Sequence, residues 1–82
     1  MNIIFLIGKI ITEIKFKFVI NSKNNSITEF TIKTQENKTI QIKAYNENAD
    51  YIYGKIKKYD NVFICGYLTT EGKVVINKIK LI

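Results

Sequence analysis

An 82-residue chain that is 46% hydrophobic and free of proline makes one domain, residues 1–82, and is too apolar for a disordered linker. Its thirteen basic residues are all lysine, and the formal net charge of +6 favours a polyanionic partner. The absence of histidine and arginine, with Cys65 as the single cysteine, argues against an internal disulfide, a zinc site, a Cys–His nucleophile and an arginine clamp on a transferring phosphate.

No catalytic residue, metal, cofactor or small-molecule substrate is therefore expected. No apolar run approaches the ~18 residues of a membrane span. Met1 to Gly8 lacks a basic leader and a small-residue cleavage site, so it reads as a retained strand rather than a signal peptide. A lone cysteine fits a reducing compartment, and the expected location is cytoplasmic. The lysine excess has a second source: Ile, Asn, Lys, Phe and Tyr are the residues of A+T-rich codons. It points to nucleic acid only if the lysines share a face.

Ile3 to about Ile14 is nearly continuous in apolar residues, the pattern of a strand covered on both faces, with Gly8 permitting a bulge or bend. Lys15 to Ile20 alternates, with Phe16, Phe18 and Ile20 on one side; it continues the first strand after a bend or forms its own short strand. Asn21 to Ser26 is a polar turn cluster. In Ile27 to Thr34, Phe30 and Ile32 oppose Glu29, Thr31 and Lys33. After a turn at Gln35-Glu36-Asn37, Thr39 to Tyr45 sets Ile40, Ile42 and Ala44 against Thr39, Gln41, Lys43 and Tyr45.

Helical spacing then appears. Asn46 is the expected N-cap, Glu47 and Asp50 suit the first turn, and Ala49, Ile52, Tyr53 and Ile56 recur along a helix from Glu47 to about Lys57. Lys55, Lys57 and Lys58 form its solvated end. Asp60-Asn61 turns the chain into Val62 to Thr70, with Val62, Ile64 and Leu68 on one face and Phe63, Cys65 and Tyr67 on the other. Glu71-Gly72 is a tight hairpin turn and Lys73 to Ile82 the last strand. Phe5, Phe16, Phe18 and Phe30 are assigned to the core, and Cys65 to the core or an interface.

The order β-β-β-α-β-β with one short helix predicts an all-β, five-stranded OB-fold barrel, the helix closing one end. Periodicity alone does not single it out among five-stranded barrels.

At this level the residues resemble the bacterial single-stranded-DNA-binding protein family. Asn2 to Ile10 is similar to that family's first strand, Ile27 to Ile32 to its second long strand, and Tyr45 to Lys58 to its strand end, helix and lysine-rich exit. Val62 to Thr70 matches its V-x-[VI]-x-G-x-L-x-T pattern. The resemblance implies sequence-independent binding of single-stranded DNA in replication, recombination or repair. It puts Tyr45 where the family stacks an aromatic ring on a base, with Lys43 and Lys33 beside it. Tyr67 and Lys17 follow, and Lys73, Lys78 and Lys80 line the last hairpin. It also implies a homodimer or homotetramer through the first strand (Ile3, Phe5, Ile7), with Phe63 at the contact between dimers.

The departures are the absence of tryptophan, short loops, and an end at Lys80-Leu81-Ile82 without an acidic tail. The expected relative is short, tail-less and divergent, and a primosome-type OB protein is similarly compatible. The alternative reading is an OB-fold protein–protein interaction subunit of a replication or primosome complex. A cold-shock-like RNA barrel would need two aromatic-rich strand motifs, which are not found.

Overall fold

Alternating burial, the signature of strands with one face inward, runs through most of the chain. In the computed structural model, which describes residues 2–20 and 25–82, the elements are β1 (Ile4–Ile10), β2 (Lys15–Val19), β3 (Asn25–Thr34), β4 (Thr39–Tyr45), α1 (Asn46–Lys55), β5 (Asn61–Leu68) and β6 (Val74–Leu81). Positions 21–24 of the expected turn lie outside the described residues; Asn25 and Ser26, expected in that turn, already belong to β3.

The strands form one sheet in the order β1-β5-β6-β4-β3-β2, and a β1–β3 pairing closes it into a barrel. Every ladder is antiparallel except β4–β6. β1 and β2 are two halves of one bent strand. Gly8–Ile10 pair with Ile32–Thr34, and Lys15–Val19 pair with Asn25–Glu29 farther along the same β3. This is the five-stranded OB barrel expected from the sequence.

The bend falls after β1, not at Gly8. There the Ile11 N–H donates to the Thr31 carbonyl (2.9 Å), and the Thr31 N–H donates to Thr12 Oγ1 (3.0 Å), so a side chain replaces a lost ladder partner. Gly8 serves the seam instead: a Cβ there would stand 2.9 Å from the Lys33 carbonyl oxygen.

The interior is apolar and almost wholly aliphatic. Ile10, Phe30, Ile32, Ile42, Ala44, Val62, Ile64, Val74 and Ile76 come from the strands, and Ala49, Ile52 and Ile56 from the helix that plugs one end. Buried Thr28 seats the helix by donating its hydroxyl to the Ala49 carbonyl at 3.0 Å. Ser26 Oγ lies 2.8 Å from Asp50 Oδ1 and 3.2 Å from the Asn46 carbonyl. These contacts explain two differences at the helix. The N-cap is Tyr45, with no side-chain cap bond, while Asn46 stands at φ 55°; Asp50 is held by β3. The helix ends at Lys55, and the Ile56 N–H closes it on the Ile52 carbonyl at 2.9 Å.

Of the four phenylalanines assigned to the core, Phe30 alone is there; Phe5, Phe16 and Phe18 are 66, 36 and 58% exposed. Alternation cannot separate an inward face from an outward one that happens to be apolar. On β1, Phe5 and Ile7 point out, as does Ile3 just before it, so that strand is not covered on both faces. β2 lies beyond the ring, and all five of its residues are exposed. Leu68 is exposed for a related reason, standing at the rim where β5 enters the hairpin. That hairpin turn spans Thr69–Lys73, with Gly72 at φ 81°.

Candidate nucleic-acid interface

Strand register decides which outward side chains meet. On the β2–β3–β4 face, Lys15, Glu29 and Lys43 are cross-strand partners, as are Lys17, Ile27 and Tyr45. The first row continues through the parallel pair Lys43–Val75 to Tyr67 on β5. Lys15, Glu29, Lys43, Val75 and Tyr67 thus form one line across five strands, about 19 Å long at ~4.8 Å per strand.

Tyr45 closes β4 at the edge of this line. It is 36% exposed, and the Lys43 ammonium lies 5.7 Å from its ring centroid, within cation–π range. Its outward aim follows from the period of β4, whose Ile42 and Ala44 are buried. Lys17 Nζ stands 3.7 Å from Glu29 Oε1, an exposed pair that holds little energy and can reopen. Lys73 joins Lys15, Glu29 and Gln41 around a shallow groove on the same face. Three of the eight expected residues, Tyr45, Lys43 and Lys17, therefore share one continuous surface, with Lys73 at its border and Tyr67 farther along the row, beyond the buried Val75.

Three do not join them. Lys33 pairs with Thr39 and with Lys9, at the far end of the ladder. Six steps along β4 separate Thr39 from Tyr45, about 20 Å, so Lys33 is not beside the ring. Lys78 lies in the row Phe5–Cys65–Lys78, and Lys80 opposes Phe63. Both belong to a different outer face, made by β1, β5 and β6. A β-bulge between Cys65 and Gly66 inserts Asn77 into β6 between the partners of those two residues, and so sets the Lys78 row apart from the Tyr67 row.

Two residues of the Tyr45 surface were not singled out from the sequence. Lys15 stands two residues before Lys17, the spacing that puts both on one face, and that signal was available. Glu29 was read as merely outward-facing; only the register shows it lying between Lys15 and Lys43 and bonded to Lys17.

The second outer face is apolar. Phe5 and Phe63 stack with centroids 6.0 Å apart at 21°, and a groove between them and α1 is lined by Tyr51, Cys65 and Ile79, with Lys78 and Lys80 at its rim. Beside it lie Ile3 and Ile7, 50 and 54% exposed. Among the described residues no cluster of His, Cys, Asp or Glu is suited to a metal ion, and no helix is long and apolar enough to cross a membrane.

No family model matches this sequence, and no curated protein matches it. The fold has close counterparts among solved structures. The single-stranded DNA-binding protein of Thermus aquaticus superposes with a TM-score of 0.85 at 14% identity, over all of this chain and 40% of that one. The SSB domain of a Synechococcus protein gives 0.82 at 12% identity, covering 96% of this chain and 93% of that domain. The mitochondrial single-stranded DNA-binding protein of S. cerevisiae gives 0.81 at 17%, covering 98 and 92%. At such identities the likeness is one of fold: this chain carries the OB barrel found in single-stranded-DNA-binding proteins, as the resemblance in its strands implied.

Proposed function

We propose that this protein binds single-stranded DNA, with little regard to sequence, across the β2–β3–β4 face, and serves replication, recombination or repair in the cytoplasm. The observation that carries the reading is Tyr45, held open to solvent at a strand end with Lys43 beside it and Lys15 and Lys17 on the neighbouring strand. A ring in that position stacks on a base of any identity, worth ~1–3 kcal/mol, and ammonium groups around it meet the flanking phosphates. The solved structures that share this fold are named for the same ligand, which adds support.

Lysine contacts to phosphate release counterions, with a slope of log K against log salt of about −0.7 per contact on single strands. Engagement of Lys15, Lys17 and Lys43 together therefore gives a slope of about −2. The test is a fluorescence-anisotropy titration with oligo-dT, a duplex and an RNA oligomer at two salt concentrations. The reading requires oligo-dT to bind more tightly than duplex and to weaken with salt. Salt-independent binding, or equal affinity for duplex, rejects it.

The second part of the proposal concerns assembly. Ile4 to Ile7 pair with β5 on one side, while β1 meets β3 only from Gly8 onward, so a length of β1 edge is open beside the exposed Ile3, Phe5 and Ile7. We infer that a second copy pairs there, giving a homodimer, and that the Phe5–Phe63 face can join dimers into a tetramer.

A further inference from the structure

A second open edge has different chemistry. The sheet ends at β2, which pairs with β3 and with no other described strand. Its residues Lys15 to Val19 are all exposed, and Ile20 beyond it is 81% exposed. Alternation gives this edge two distinct sides. Lys15 and Lys17 lie on the side of Glu29, Lys43 and Tyr45. Phe16 and Phe18 lie on the other, where the Phe16 ring packs on Tyr53 of α1 at 4.6 Å between centroids. Phe18 and Tyr53 remain 58 and 61% exposed, so the aromatic side is unfinished.

An exposed strand edge invites another strand. A second copy of this chain is a poor candidate. Full-length antiparallel pairing of β2 with itself sets Lys17 against Lys17, and like charges directly opposite are destabilising. The same lysines favour a strand that brings carboxylates to their side and apolar side chains to the other. We propose that the β2 edge is a docking site for an extended segment of a partner protein in which acidic and apolar residues alternate, taken up as an added strand. Main-chain hydrogen bonds along the edge supply affinity. The alternation supplies specificity: acids meet Lys15 and Lys17, and apolar side chains complete the cluster of Phe16, Phe18 and Tyr53. The Lys17–Glu29 contact at 3.7 Å is no obstacle, since an exposed pair of this kind exchanges partners at little cost. The proposal does not rest on DNA binding.

The test uses the full chain and a capped heptapeptide alternating glutamate with valine, measured by calorimetry without DNA and mapped by amide chemical shifts and hydrogen exchange. The peptide binds, exchange slows at Lys15 to Val19, and the double variant Lys15→Glu/Lys17→Glu loses about tenfold or more in affinity. Lys55→Glu/Lys57→Glu makes the same change in net charge at the helix end and stays within about twofold. Lys43→Gln weakens oligo-dT but leaves the peptide unaffected, so the two readings fail separately. The proposal is overturned by no binding, by equal losses in the two charge variants, by equal binding of a lysine–valine peptide, by protection at Ile4 to Ile7 instead, or by self-association of the chain through β2.

Discussion

The barrel has two outer faces built by the same alternation, one mostly charged and the other mostly apolar. On β2–β3–β4 the outward positions hold Lys15, Lys17, Glu29, Lys43 and Tyr45; on β1–β5–β6 they hold Phe5, Ile7, Phe63 and Cys65, with Ile3 just before β1 and Lys78 and Lys80 on β6. The inward residues of both are apolar and belong to one core. A strand's buried half thus answers to the barrel, while its exposed half is free to be selected for a partner. The basic face suits a solvated polyanion. The apolar face suits a partner that covers it, such as the second copy proposed above, because exposed apolar area gains free energy only when something dry covers it.

The largest effect is expected at the β-bulge of the β5–β6 ladder, between the Tyr67 row and the Lys78 row. At Gly66 a Cβ would stand 2.1 Å from the Val75 carbonyl oxygen, a backbone atom that cannot step aside, beside the bulge that separates the Tyr67 row from the Lys78 row. Gly66→Ala is expected to cost about 3 kcal/mol or more in a denaturant melt and to damage both faces together. A neutral result would mean that the bulge tolerates a side chain and that the faces are not divided there.

A smaller change should separate the faces. Phe5→Asp removes apolar area from the proposed assembly surface and leaves the basic face untouched. It should weaken self-association by about 2 kcal/mol or more, moving the light-scattering mass toward that of one chain, 9.5 kDa. Affinity per chain for a short oligo-dT should hold within about twofold, since no basic-face contact is lost. If the wild-type chain itself scatters as 9.5 kDa at micromolar concentration, the apolar face has another purpose.

The converse change is Tyr45→Ala. It should reduce oligo-dT affinity by ~1–3 kcal/mol, about 5- to 150-fold, with the oligomeric mass unaltered. Unchanged affinity would remove the ring from the binding surface.

The smallest effect sharpens the basic face. Glu29 puts a carboxylate between Lys15 and Lys43 and holds Lys17 at 3.7 Å. Glu29→Gln frees Lys17 for phosphate and should strengthen oligo-dT binding by about two- to fivefold at low salt, fading as salt rises. Stability should move by less than about 0.5 kcal/mol, since the exposed pair holds little.

Much of this was legible in the residues. The period-two runs in β3 and β4 identified Phe30, Ile32, Ile42 and Ala44 as inward, and the switch to helical spacing after Tyr45 located α1 to within two residues at each end. The outward aim of Lys43 and Tyr45 followed from the same count. The failures share a cause. Phe16 and Phe18 alternate as faithfully as Phe30 and Ile32, yet β2 overhangs the ring and has no interior to face. Asn46 has the residue type of an N-cap, but the helix start is held by Ser26 and Thr28 of β3, contacts made across about twenty residues of chain.

Composition and periodicity, read alone, determined that this chain is β-rich with one helix, which side of β3 and β4 is buried, and that its charge is positive. Those properties are local: each depends on neighbours one, two or four residues away. Tertiary structure alone decided that Lys15 and Tyr67 share a row, that Lys33 and Lys78 lie away from Tyr45, and which apolar side chains remain in water. Cross-strand register, the bend between β1 and β2 and the bulge at Cys65–Gly66 set those neighbourhoods, and all three arise from closing the sheet on itself.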